Sequence, residues 1–123
     1  MVKNAPPPGL RIRIVFGDGR MLGPGKAELL ERIARTGSIA AAGREMRMSY
    51  KRAWMLIETL NAMFREPLVE STRGGPKGGG AVLTETGHAV LRHYQEVVAA
   101  AAAAGKKPVA TLADLLKDIP EQK

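Results

Sequence analysis

The chain has 123 residues, 45% of them hydrophobic and 25% charged, which suits one globular domain with a single core and excludes a disordered chain. It contains no cysteine, so disulfides and thiolate metal sites are excluded, and with 4% aromatic residues the core must rest on Leu, Ile, Val, Met and Ala. A formal net charge of +7 favours a polyanionic partner, either nucleic acid or an anionic membrane surface, and the placement of the charges decides between them.

Residues 1–9 form a Pro-rich leader without the apolar run of a signal peptide. No stretch approaches the ~20 apolar residues that span a bilayer, so the expectation is a cytoplasmic protein with no membrane partner. Leu10-Arg11-Ile12-Arg13-Ile14-Val15-Phe16 alternates apolar and basic residues, which predicts a strand with one wet face, and Gly17-Asp18-Gly19-Arg20 supplies a turn. Pro24 suits the first position of a first helix, where its missing N–H costs nothing, and Leu29, Leu30, Ile33 and Ala34 form its apolar stripe. Gly37 suits the left-handed residue after that helix, and Ser38 caps a short Ala-rich second one.

Ser49 caps a third helix, expected to run to about Phe64. Tyr50, Ala53, Trp54, Ile57, Leu60 and Phe64 share one side of it, and Lys51, Arg52, Met55, Glu58 and Thr59 point the other way. Beyond Pro67, residues 68–73 and 81–83 read as the two sides of a hairpin around a basic glycine loop. Thr84 caps a long fourth helix to about Ala104, with an apolar stripe of Val90, Leu91, Tyr94, Val97, Val98 and Ala101. Gly105-Lys106-Lys107-Pro108 is expected to end it, leaving a short tail, residues 105–123, in which residues 111–116 form a final helical turn or two. The expected fold is mainly α with a small β hairpin: a winged helix-turn-helix over residues 10–104 with a long C-terminal helix.

That layout is one for binding DNA. The major groove, roughly 12 Å wide, admits one helix, and side chains near its N-terminus read base edges. Arg52 can pair in a bidentate way with guanine, Lys51 suits guanine or phosphate, and Met55 suits a thymine methyl. Ser49, Thr59 and Arg47 complete the expected contacts around this helix, and Ser38 is placed for a phosphate. In the glycine loop, Arg73 and Lys77 add charge while Gly74, Gly75 and Gly78 let the backbone approach closely, supplying affinity rather than discrimination. Two other classes share these features: a non-specific architectural DNA binder and a protein-interaction winged-helix module. Catalysis is not expected. A phosphate-binding loop ending Gly25-Lys26 would need Gly where Arg20 stands and Ser or Thr where Ala27 stands. His88 and His93 lie five apart on a helix and diverge, so neither a metal nor a cofactor is expected.

From about Gly25 to Glu96 the sequence resembles the N-terminal domain of the ModE family of molybdate-responsive transcriptional regulators. The matching pieces are residues 37–42 (Gly-Ser-Ile-Ala-Ala-Ala, shared with LysR-type regulators), 49–54 (Ser-Tyr-Lys-Arg-Ala-Trp), 67–70 (Pro-Leu-Val-Glu), the glycine loop at 74–80 and residues 83–87 (Leu-Thr-Glu-Thr-Gly). The resemblance implies a homodimer on a palindromic operator in double-stranded DNA, often near genes for molybdate uptake or molybdenum enzymes. It further implies a dimer contact through the first and last helices, here Leu29, Leu30 and Ile33 with Leu91, Tyr94, Val97 and Val98. Full-length members carry a C-terminal molybdate-binding region, and these residues supply no such anion-binding fold. No small-molecule effector is therefore expected to bind this chain, and regulation is expected to be absent, or supplied by a partner.

Overall fold

The computed structural model describes residues 9–72 and 80–117. Two short strands open the fold, β1 (Ile14–Gly17) and β2 (Arg20–Leu22), paired antiparallel with Ile14 opposite Leu22 and Val15 opposite Met21. Only the last part of the expected strand at residues 10–16 is one, and the turn leads into a second strand that its three residues are too few to announce by alternation. Gly17, Asp18 and Gly19 all take positive φ, a run that glycine permits and aspartate tolerates. The segment before β1 is tied down from the far end of the chain: the Tyr94 hydroxyl donates to the Ile12 carbonyl at 2.6 Å.

The three-helix core follows. Helix α1 (Pro24–Thr36) begins with its proline and stops at Gly37, whose φ of 71° lets its N–H close on the Ile33 carbonyl. Helix α2 (Ile39–Glu45) is capped by the Ser38 hydroxyl, which accepts from the Ala41 N–H. Helix α3 (Tyr50–Met63) is capped likewise by Ser49, which accepts from the Arg52 N–H. Leu29, Leu30 and Ile33 of α1 meet Ile39 and Ala42 of α2 and Ala53, Ile57 and Leu60 of α3 in one core. A fully buried aliphatic side chain there stabilises by about 1.5–3 kcal/mol. Gly43 lets α2 and α3 close together: a Cβ on it would lie 3.2 Å from that of Ala53.

Strands β3 (Val69–Thr72) and β4 (Gly80–Leu83) pair antiparallel, Val69 opposite Leu83 and Thr72 opposite Gly80. They form the stem of the expected hairpin; its tip lies outside the described residues. Asn61 of α3 fixes β3 to the core, its Oδ1 accepting from the Leu68 and Val69 N–H groups at 2.8 and 3.1 Å and its Nδ2 donating to the Val69 carbonyl at 3.2 Å. On the other strand, the Ala81 N–H donates to the Gly37 carbonyl at 2.9 Å, so β4 is bonded to the α1–α2 link.

Thr84 caps helix α4 (Glu85–Ala104), accepting from the Gly87 N–H, and helix α5 (Lys106–Asp114) follows with only Gly105 between. The fourth helix ends at Ala104 as expected, but residues 106–108 then open another helix, and α5 is longer than the expected turn or two. Along α4 only Gly87 and Tyr94 are buried; Leu91 and Val98 are half-buried and Val97 is exposed. The implied dimer contact needs correction at four of its residues. Leu29, Leu30 and Ile33 have no exposed surface and Tyr94 has 6%, all of it spent inside this chain's own core, so they can back an interface but not form one. No described helix is long and apolar enough to cross a membrane.

Candidate nucleic-acid interface

The link from α2 to α3 is short and closed by its own backbone. The Met46 N–H donates to the Ala42 carbonyl, the Arg47 N–H to Arg44 and the Met48 N–H to Gly43. Arg47 makes the bend with φ of 59°, unusual for a residue with a side chain, and its side chain stands in solvent. Helix α3 then turns Ala53, Ile57 and Leu60 inward and leaves Lys51, Arg52, Met55, Glu58 and Thr59 exposed, as its periodicity predicts. Met55 is 55% exposed, an unusual position for an unbranched apolar side chain with no partner. The Thr59 hydroxyl donates to the Met55 carbonyl at 3.0 Å, which leaves its oxygen and methyl facing outward.

Tyr50 departs from its expected place on the buried side. It is 56% exposed, because at the first position of α3 it lies beyond the turn that packs on α2. It meets half-buried Trp54 edge-on, ring centres 6.2 Å apart, and both line a cleft of about 240 Å³ with Ser38, Ser71, Thr72 and Gly80. This cleft separates α3 from the hairpin stem. Ser38 is half-buried beside it; its oxygen is used by the Ala41 N–H, while the hydroxyl proton is free to donate. Thr72 closes the stem by accepting from the Gly80 N–H at 2.9 Å. Arg73, Gly74, Gly75, Lys77 and Gly78 lie outside the described residues.

Charge is sorted around this surface. On the α1–α2 side, Arg32 donates to Glu28 and Glu45, and Arg35 donates to the same Glu45 oxygen. These bonds, from Arg35 first and against some desolvation, hold the Glu45 carboxyl below its usual range and raise the Arg32 guanidinium further. Among the described residues, no carboxylate pairs with Lys51 or Arg52. No described cluster of His, Asp and Glu could hold a metal, and His93 instead sits 2.8 Å from Glu96.

Residues 25–88 match the model for bacterial regulatory helix-turn-helix proteins of the lysR family, over half of the chain. The chain belongs to this family. As a lysR-family helix-turn-helix protein it is a DNA-binding regulator and not an enzyme. It is also homologous to the N-terminal region of molybdenum-linked proteins. It is 50% identical over 73 residues to the molybdenum-pterin-binding protein MopA of Rhodobacter capsulatus, covering 59% of this chain and 28% of that protein. With the molybdenum transport protein ModE of Azotobacter vinelandii it shares 42% over 77 residues, 63% of this chain and 28% of that one. With the DNA-binding transcriptional dual regulator ModE of Escherichia coli K12 it shares 41% over 71 residues, 58% and 27% respectively. The matched stretch thus spans under a third of each of these relatives. Among solved structures, the CbnR_DBD-DNA complex matches with a TM-score of 0.54 and 23% identity over 72% of this chain and 95% of that one, a likeness of fold.

The sequence located the outward side of α3 but missed Tyr50 as surface and Asn61 as the tie between α3 and the hairpin. A polar residue in the last turn of α3, four after buried Ile57 and next to buried Leu60, is the signal that could have singled out Asn61.

Proposed function

We propose that this lysR-family protein is a sequence-specific transcriptional regulator that binds a palindromic operator as a homodimer, with α3 in the major groove and the glycine hairpin on the backbone or minor groove. The observation that carries this is the division of α3. Three apolar residues fix it to the core, while Lys51, Arg52 and Met55 project together from its first two turns. Arg52 would take a guanine edge, Lys51 guanine or phosphate, and Met55 a thymine methyl. Ser38, Arg47, Ser49 and Thr59 would position the duplex, and Arg73 and Lys77, with Gly74, Gly75 and Gly78, would add sequence-independent affinity.

The dimer contact would rest on what α4 leaves accessible, Leu91, Val97 and Val98, with Leu112, Leu115 and Leu116 at 65–75% exposure beside them in sequence on and after α5. Exposed apolar surface of this kind marks an interface. The molybdenum-linked names of the relatives support target genes for molybdenum uptake or use.

Retention from a random duplex pool at near-physiological salt tests the reading. An enriched palindrome is the expected result. Retention without enrichment would replace it with an architectural role, and no retention would leave a protein-binding module.

A further inference from the structure

A helix seated in the major groove has a sugar-phosphate backbone on each side of it, and α3 has a cleft on each flank. At 100° per residue, Tyr50 and Trp54 fall on one flank and Arg52 and Leu56 on the opposite one, with Lys51 and Met55 between. The first flank is the cleft beside the hairpin stem, where no described residue that lines it carries a charge. The second is a cleft of about 300 Å³ between α3, the N-terminal hairpin and the start of α1. Its floor is apolar, from Met21, Met48 and Leu56, and three cations line it: Arg13, Lys26 and Arg52. Among the described residues no carboxylate lines it, whereas the larger groove of about 410 Å³ against α4 has Glu28 and Glu31.

The cations are held in place without being neutralised. The Arg13 stem lies over Gly23, its Cγ 3.5 Å from where a Cβ would stand. The Lys26 ammonium is half-buried and donates to the Met21 carbonyl at 3.2 Å, a neutral acceptor that leaves its charge and two further N–H groups available. Among the described residues neither Arg13 nor Lys26 is within ion-pair distance of a carboxylate, in contrast to Arg32 and Arg35 on the neighbouring surface. Beside them, Gly25 faces open space.

We infer that this cleft seats the DNA backbone on the side of the recognition helix away from the wing, with Arg13 and Lys26 as phosphate contacts. The inference rests on the DNA-binding reading above and extends it. It gives the N-terminal hairpin a role in the interface: Arg13, just before β1, stands at one edge of the cleft, and β2 carries Met21 to its floor. Because both residues meet phosphate and not bases, they would supply affinity and register without sequence preference.

The test is the salt dependence of duplex binding by the double variant Arg13→Gln, Lys26→Gln, compared with wild type on an enriched and a scrambled duplex. Each lost phosphate contact lowers the slope of log K against log salt by about 0.9, so the expected drop is about 1.8, with equal weakening on both duplexes. The charge-keeping pair Arg13→Lys, Lys26→Arg should restore most of the slope. An unchanged slope in a folded double variant, with wild type binding normally, overturns this inference and leaves the recognition-helix reading intact. Failure of wild type to bind any duplex overturns both. A second measurement needs no variant: duplex should shield Lys26 from acetylation in the wild-type protein. Shielding by inorganic phosphate but not by duplex would make the cleft a small-oxyanion site and overturn the assignment to DNA.

Discussion

Asn61→Ala isolates the tie between the recognition helix and the hairpin. The substitution removes an acceptor from the Leu68 and Val69 N–H groups and a donor from the Val69 carbonyl. Leu68 is fully buried and Val69 is 5% exposed, so these two donors have little access to water. Each buried group left without a partner costs about 1–3 kcal/mol. Alanine returns about 0.5 kcal/mol through helix propensity. Asn61 itself is only half-buried, so water can reach part of the vacated space and the lower end applies, a net loss of about 2–3 kcal/mol. In a domain of this size, that is a drop in melting temperature of roughly 10–20 °C. Urea unfolding followed by circular dichroism should show the midpoint falling with the slope m unchanged. A loss below about 0.5 kcal/mol for Asn61→Ala would refute the assignment of these bonds.

Arg52→Ala should weaken binding to the selected duplex by about 1–3 kcal/mol and relax preference at one base pair; in a titration series of single-base variants, an equal loss on every duplex would make it a phosphate contact. Gly87→Ala should destabilise although alanine favours helix, because its Cβ would sit 2.2 Å from the Leu68 carbonyl oxygen. Overpacking against backbone costs about 1–3 kcal/mol, and a stabilised variant in thermal unfolding would refute the close approach. Glu45 has a depressed carboxyl, so its contribution to stability is present above its ordinary value of 4.5 and lost as pH falls through the lower folded value. Because the pair is solvent-screened the effect is small, and in acid unfolding followed by circular dichroism Glu45→Gln should flatten the stability profile only between 4.5 and the lower folded value.

What was legible in the sequence was what short-range geometry fixes. The Ser38, Ser49 and Thr84 caps, Pro24 at the start of α1 and the left-handed Gly37 each depend on a few neighbouring residues, and all are found. The outward side of α3 was legible because helical spacing alone separates Lys51, Arg52 and Met55 from Ala53 and Ile57. An apolar stripe, by contrast, reads the same whether it packs on its own domain or on a partner, so the stripes of α1 and α4 could not check the dimer contact that the resemblance implied at Leu29, Leu30, Ile33 and Tyr94. Tyr50 obeys the same spacing as Ala53 and Ile57 but starts the helix, where nothing packs above it. Asn61 and Gly43 act on residues brought near only by the fold. The cationic cleft joins Arg13 to Arg52, residues far apart in sequence, so no local pattern announces it.

The cluster of Arg32, Arg35, Glu28 and Glu45 is balanced, two charges of each sign. Charges paired within a few Å cast a field that dies away quickly, and beyond a screening length of about 8 Å little of it survives. Arg13, Lys26, Lys51 and Arg52 have no such partner among the described residues, so their field extends outward. An approaching polyanion therefore meets, at the α3 surface, charge that no neighbouring carboxylate among the described residues cancels, and early collisions favour that surface over the α1–α2 one. Removing the Glu45 carboxylate would make the protein more basic yet worse aimed: quicker to be captured by any polyanion, slower to dock productively on one.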